Sequence, residues 1–258
     1  MQIRLVRHAT LLVDLGGRRI LVDPMLSDAG AMAPIPIAAN DRRFPLVSLP
    51  MPLPALLDGV DAVLVTHLHR DHFDDAAAAL LPKHLPVLCQ PGDAGRLQEL
   101  GFRTVLPVPD AVEHAGIEIA RTNGKHGVGL IGKGMGTVSG FVLRAEAEPA
   151  LYIAGDTVWC EYVREALETF RPDVVVVNAG AAQFRIGRPI TMDGQDVAQV
   201  CQTAPDAAVV AVHMEAVNHC LLTREGLRAD LARRGLRDRV LIPEDGQALT
   251  FVGAGTGT

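Results

Sequence analysis

The sequence predicts a layered α/β or α+β fold. Three observations predict it: runs rich in Val, Ile and Leu recur at strand length, stretches of helical composition stand between and after them, and neither a linker-like nor a repeated segment divides the chain. Strands interleaved with helices belong in layers, with helices covering a sheet, rather than in a bundle or an all-β sandwich. A chain of 258 residues is long enough to bury a substantial core as one large unit or two fused halves. With no linker in view, one domain over residues 1–258 is expected.

Taken in order, residues 3–6 and 19–22 read as strands around a Gly-Gly turn. Residues 62–66 form an apolar strand that leads into an Ala-rich helix at 74–81, and a strand at 87–89 is followed by a helix at 94–100. The same alternation returns later: strand 150–154 and helix 163–169, strand 174–177 and helix 192–203, strand 208–212 and helix 224–234, then a strand at 240–242. Thr191 and Thr223 stand where N-caps are expected, since a hydroxyl there accepts from the unpaired N–H groups of the first turn. Two stretches are irregular. Residues 29–54 carry six prolines, the composition of a lid or binding loop, or of a surface excursion packed on its own domain. Residues 124–140 (GKHGVGLIGKGMGTVSG) contain neither GxxxxGK[ST] nor a strand–GxGxxG–helix unit, so they read as a flexible loop lining a site, with no strand beside it.

Composition narrows the function. An apolar share of 48 % with 21 % charged residues is a globular balance, which excludes a disordered or fibrous chain. A net charge of −6 without clustered Lys and Arg argues against nucleic acid as a partner and for a small-molecule substrate; oligomeric state is not indicated. The opening MQIRLVRHATLLVDL alternates apolar and polar residues, unlike a secretory signal, and no apolar run reaches bilayer-spanning length, so a cytoplasmic protein is expected. Cys89, Cys160, Cys201 and Cys220 show no CxxC spacing and read as small buried residues rather than a disulfide framework.

The decisive segment is residues 61–74, DAVLVTHLHRDHFD. An apolar strand ends at Thr66, and three histidines and an aspartate follow within six residues. Side chains at a strand end are rigidly based yet open to solvent. His67 and His69 are two apart and project to one side of an extended chain, whereas Asp71 and His72 fall at the start of the helix, where neighbours diverge. Two of these residues could serve one metal and two another. Imidazole and carboxylate suit zinc and its first-row neighbours.

THLHRDH resembles the HxHxDH signature of the metallo-β-lactamase superfamily, and the resemblance extends over nearly the whole chain. It implies a four-layer αββα sandwich with a dinuclear site at one edge. His126 matches the family's next histidine, Asp156 its Gly-Asp aspartate after the run 151–154, and His213 its last ligand at the end of the run 209–212. The resemblance implies His67, His69 and His126 on one metal, Asp71, His72 and His213 on the other, and Asp156 between them, with Asp71 and Asp156 also expected to act in catalysis. His219 competes with His213; the strand end favours His213 and leaves His219 a substrate or supporting role. Asp23 resembles the family's strand-end aspartate and is expected to orient a ligand histidine through its other ring nitrogen; Asp74 would do the same or cap the helix. His8, His84 and His114 are expected at the surface or in packing.

Two divalent ions about 3.5–4 Å apart can share a water, lower its pKa and polarise the bond under attack. No GxSxG elbow offers a competing serine nucleophile. The expectation is therefore a dinuclear metal-dependent hydrolase, zinc first with manganese or iron as alternatives, whose bridging hydroxide attacks a small ester or lactone. The Leu-Val-Asp-Pro opening (21–24) and the His-Met-Glu ending (213–215) resemble the branch containing the ascorbate-phosphate lactonase and the acyl-ethanolamine phospholipase D. A phosphodiesterase is the alternative, with Arg42, Arg43, Lys125 and Lys133 as cations for the phosphate, beside an iron-dependent oxygen-using protein or a catalytically silent metal binder.

Overall fold

The computed structural model describes residues 1–253. Its first half opens with an antiparallel meander, β1 (Gln2–Arg7), β2 (Thr10–Leu15) and β3 (Arg18–Val22). After a long connection come α1 (Leu53–Leu57), β4 (Ala62–Val65), α2 (Asp75–Leu80), β5 (Val87–Cys89), α3 (Ala94–Glu99) and β6 (Val105–Pro107). The second half repeats the plan: β7 (Ala111–His114), β8 (Ile117–Asn123), α4 (Gly129–Gly134) and β9 (Ser139–Ala145), then β10 (Leu151–Ile153), α5 (Glu161–Phe170), β11 (Val174–Asn178), α6 (Gly194–Thr203), β12 (Ala208–Val212), α7 (Arg224–Arg233) and β13 (Val240–Leu241). The last strand, β14 (Ala248–Thr250), returns to pair with β1.

Two seven-stranded sheets result, ordered β14-β1-β2-β3-β4-β5-β6 and β13-β12-β11-β10-β9-β8-β7. In each, an antiparallel part joins a parallel part: β3 to β6 in the first, β10 to β13 in the second. The parallel strands are buried on both faces, which is why AVLV in β4 and VVVVN in β11 are apolar throughout rather than alternating. Successive side chains still point to opposite faces. Leu64 joins Ile3, Val13, Phe141, Leu143 and Val176 between the sheets, while Val63 and Val65 turn outward to Leu56 of α1, Ala77 of α2 and Leu97 of α3. On the far side Val175 and Val177 meet Val163 of α5, Val197 of α6 and Leu227 of α7. The layers are helix, sheet, sheet, helix, so the expected αββα sandwich is the observed fold.

The strands and helices expected from the sequence are present, with ends moved by at most two residues. Three expectations need correction. The segment 124–140 is not one flexible loop: it holds α4 and the start of β9, and β8 stands directly before it. Thr191 does not cap α6; its hydroxyl accepts from the Ala182 amide, and Asp193 caps the helix through the amides of Gln195 and Asp196. Thr223 caps α7 as expected, its hydroxyl accepting from Gly226. Third, β2, β6, the hairpin β7–β8, β9 and β14 have no counterpart in the strands read from sequence.

The proline-rich segment 29–54 is irregular up to α1, but it is pinned to the domain. Arg7, fully buried, donates to the carbonyls of Met25, Ser27 and Val47. Asn218 accepts from the Ile35 amide at 2.9 Å and donates to the carbonyls of Ile35 and Asn40. Met25 and Phe44 pack on Ala216 and Val217. The segment is thus packed on its own domain. The four cysteines are free, as expected, and no helix among the described residues is long and apolar enough to cross a membrane.

Candidate metal centre

The sequence-predicted donors converge at the carboxyl ends of the parallel strands, where open α/β sheets place their ligand sites. The connection after β4 carries His67, His69, Asp71 and His72. Asp71 and His72 do not open the helix, as the sequence suggested. They sit in a tight turn before it, closed by the His72 and Phe73 amides on the His69 carbonyl. Asp74 then caps α2 by accepting from the Ala77 amide at 2.7 Å, and its other oxygen accepts from the Ser27 amide. Capping, not histidine orientation, is what Asp74 does.

The second sheet brings the other three. His126 follows β8 and donates Nδ1–H to the Ile190 carbonyl at 2.8 Å. Asp156 follows β10 after Gly155, whose φ of +68° and 2.6 Å clearance between an added Cβ and the Ser139 carbonyl leave room for glycine alone. Asp156 accepts from the Asn178 side-chain amide at 2.7 Å. His213 ends β12 at φ 70°, and its amide donates to the His8 carbonyl at 2.9 Å.

Three groups of donor atoms emerge, each within 4.8 Å of one another: those of His67, His69 and His126, those of Asp71, His72 and His213 with His8 added, and those of His67, His72 and Asp156, which join the first two. Asp156 lies between. Its Oδ2 is 3.3 Å from both His72 Nε2 and His126 Nε2, and its Oδ1 is 3.2 Å from His213 Nε2. Ring nitrogens face ring nitrogens: His67 Nε2 to His69 Nδ1 at 2.9 Å, His126 Nε2 to His69 Nδ1 at 3.3 Å, His72 Nε2 to His213 Nε2 at 3.3 Å. Lone pairs aimed at one point suit a cation between them.

The electrostatics agree. Burial pushes His67 and His213 well below the usual imidazole range, leaving neutral nitrogens. Burial alone would raise Asp71 and Asp156, but the surrounding histidines outweigh it and hold both carboxyls well below the usual range. At His72 burial is outweighed by Asp156 and Asp23, which raise it well above the ordinary value. Ionised carboxylates among buried imidazoles, those of His67 and His213 neutral and that of His72 held by two carboxylates, with no Lys or Arg in any donor group, are a donor set for divalent metal.

The far ring nitrogens are held too. His72 Nδ1 donates to Asp23 Oδ2 at 2.7 Å, the orienting contact expected of Asp23, and Asp23 is itself fixed by the amide and hydroxyl of Thr66. His67 Nδ1 meets the Thr66 hydroxyl at 3.1 Å, and His213 Nδ1 meets Cys220 Sγ at 3.6 Å. Beside the cluster a cavity of about 210 Å³ is walled by Ile35, Leu68, Met135 and Phe184, with Arg70 and His219 as further polar lining. His219 is buried and its Nδ1 has no partner.

Two expectations fail on placement. His8, read as a surface or packing histidine, is fully buried with Nε2 3.3 Å from Asp71 Oδ2. Only the alternating pattern of β1 and β2 around it hinted at a turn, and nothing hinted at the site. Of the cations set aside for a phosphate, Arg43 is spent on the carbonyls of Gly30 and Ala31 and Lys125 pairs with Glu161 at 2.6 Å. Arg42 is exposed and does not line the cavity; Lys125 and Lys133 line a separate hollow on the glycine-rich segment beside His126.

Comparison with known proteins bears on the same surface. The family described as beta-lactamase superfamily domain matches residues 18–214. The UPF0173 protein YddR of Bacillus subtilis (strain 168) is 40 % identical over 255 residues, covering 97 % of this chain and all of that protein. Among solved structures, an isothiocyanate hydrolase from Delia radicum gut bacteria is 37 % identical with a TM-score of 0.93, over 98 % of this chain and 100 % of that one. A "possible metal-dependent hydrolase" from Veillonella parvula is 32 % identical with a TM-score of 0.94, over 97 % and 99 %.

Proposed function

The chain belongs to the beta-lactamase superfamily domain family, and on that premise we propose that it is a metal-dependent hydrolase acting on a small uncharged substrate at an electrophilic carbon. Within that class an isothiocyanate is the first candidate, because the similar isothiocyanate hydrolase matches over the full length of both chains. A small ester or lactone, the class expected from sequence, presents the same kind of carbon and is the second. The observation that carries the proposal is the donor cluster opening onto a small, apolar-walled cavity.

His67, His69 and His126 would hold one metal, Asp71, His72 and His213 the other, with Asp156 placed to reach both. Two divalent cations so held, zinc first, would lower the pKa of a shared water and polarise the bond it attacks. The chain's own groups do the rest. Asp23 and the Ile190 carbonyl keep the His72 and His126 protons on Nδ1, so that Nε2 presents a lone pair inward. Ile35, Leu68, Met135 and Phe184 exclude bulk water from an apolar substituent. Burial lowers the His219 pKa, so the ring is a neutral hydrogen-bonding group in the cavity wall. A phosphodiester keeps its negative charge throughout and needs fixed cations; the commitment of Arg43 and Lys125 elsewhere, and of Arg70 in the cavity lining to the Ala33 carbonyl and the Phe44 ring, supports the uncharged class.

Water added across N=C=S gives a thiocarbamate that collapses to an amine and carbonyl sulfide, so amine release is a direct readout. Metal-loaded protein should be assayed on alkyl and aryl isothiocyanates, aliphatic lactones, p-nitrophenyl esters and bis-p-nitrophenyl phosphate. The proposal expects kcat/KM on the uncharged carbon substrates to exceed that on the phosphodiester, with isothiocyanates foremost. A preference for the phosphodiester, lost on Arg70→Ala or Lys133→Ala, would replace it with the phosphodiesterase reading.

A further inference from the structure

His8 occupies the two-residue connection between β1 and β2, in left-handed backbone at φ 58°. A non-glycine residue there is uncommon, and strain of that kind collects where a side chain must be aimed. Three contacts aim this one. Its carbonyl accepts from the His213 amide at 2.9 Å, and its ring lies on the His213 ring with centroids 3.6 Å apart and planes 35° apart. Its Nε2 lies 3.3 Å from Asp71 Oδ2.

Distance alone would admit His8 as a fourth ligand beside Asp71, His72 and His213. The ring's other nitrogen decides otherwise. A histidine that binds metal through one nitrogen nearly always donates its remaining N–H to a partner. The buried candidate ligands obey this: His72 has Asp23, His126 the Ile190 carbonyl, His67 the Thr66 hydroxyl and His213 the Cys220 sulfur. His8 Nδ1 is buried and has no partner. A proton there would be an orphan donor at a cost of about 1–3 kcal/mol, so the ring proton belongs on Nε2, which then points an N–H and not a lone pair at the centre.

We infer that His8 is a positioning residue: its Nε2–H donates to Asp71 Oδ2, the oxygen that also lies 3.8 Å from His213 Nε2, and thereby fixes the carboxylate that would serve the second metal. The burial of both partners makes the contact matter, since no water competes for the carboxylate oxygen. The inference rests on the two-metal reading, and its test separates the two.

Metal-free wild type, His8→Gln, His8→Phe and His8→Asn should be titrated with zinc against a competing chelator, with metal per chain counted by elemental analysis. Gln carries an amide N–H near the Nε2 position; Phe keeps the ring without a donor; Asn suits left-handed backbone but is too short to reach Asp71. Wild type should bind two metals. His8→Phe and His8→Asn should keep the first, on His67, His69 and His126, and weaken the second about 10–100-fold. His8→Gln should restore most of that loss, and its cobalt form should keep the wild-type visible spectrum, because no ligand nitrogen has gone. Should His8→Phe fail to fold, His8→Asn carries the comparison. Two metals held at wild-type affinity in His8→Asn, or a His8→Gln as impaired as the donor-less variants, would overturn the assignment. A wild type that binds no metal would instead overturn the two-metal reading beneath it.

Discussion

Asp23→Asn tests how far the centre depends on a residue that touches no metal. Asp23 is buried, with Oδ1 accepting from the Thr66 amide at 2.8 Å and Oδ2 accepting from the Thr66 hydroxyl and from His72 Nδ1, both at 2.7 Å. Its backbone is left-handed, φ 43°, a region Asn tolerates as readily as Asp, so the substitution adds no strain. The new carbonyl oxygen will stay with the Thr66 amide, which leaves the NH2 group facing His72. Donor then meets donor. The relief is a tautomer change that moves the His72 proton to Nε2, the atom aimed at Asp156 and His213. The second metal should bind about 10–100-fold more weakly, or roughly 1.4–2.8 kcal/mol. Losing a charge-assisted hydrogen bond should also lower the stability of the metal-free protein by about 2 kcal/mol, a fall of roughly 4–8 °C in Tm for a chain of this size. Calorimetric zinc titration and thermal melts read the two effects separately. Asp74→Asn is the control, because Asp74 caps α2 and touches no ring. Undiminished second-site affinity in Asp23→Asn, or an equal loss in Asp74→Asn, would refute the reasoning.

Asp156→Ala should lower occupancy at both metal positions and abolish turnover while circular dichroism stays native, because Asp156 faces donors of both groups; two retained metals in elemental analysis would contradict that placement. His213→Ala should weaken one metal selectively, whereas His219→Ala should leave metal content intact and change kcat or KM, the outcome expected of a cavity-wall group. Gly180→Ala should destabilise the fold by about 1–3 kcal/mol, since the added Cβ would press on the His213 carbonyl and on Cys220; a melting temperature equal to wild type would show that the strand end yields.

How much of this was legible depended on whether the signal was local. Segment 61–74 packs a strand end and four donors into adjacent positions, and the parallel strands announce themselves as unbroken apolar runs because both their faces are buried. His126, Asp156 and His213 were identified only through the resemblance, since each depends on a strand end brought together by the sheet order rather than by chain neighbours. The antiparallel strand β8 mixes buried with exposed positions and gives no unbroken apolar run, and β9 begins inside a glycine-rich run that reads as loop. His8 was illegible for a stronger reason. Its partners, Asp71 and His213, lie on other elements and on both sheets, and its own neighbours in sequence describe a strand turn and nothing else. The cap at Asp193 was misplaced to Thr191 because both residues are good caps and only the path of the preceding loop chooses between them.

On the proposed function, the pinned proline-rich segment should set the kinetics of entry. Arg7, at the end of β1, ties it at Val47, and Asn218, the neighbour of His219, clamps it at Ile35 and Asn40. Ile35 is therefore a wall built at folding, not a flap recruited by the ligand. A guest meets a surface already ordered and is spared the roughly 0.5–1.5 kcal/mol per side chain that immobilising a loose one would cost. Capture should then proceed in a single bimolecular phase, with rates linear in ligand concentration. Selectivity, in turn, comes from what fits a rigid mould: lengthening the guest beyond it will show as abrupt exclusion instead of a gradual decline.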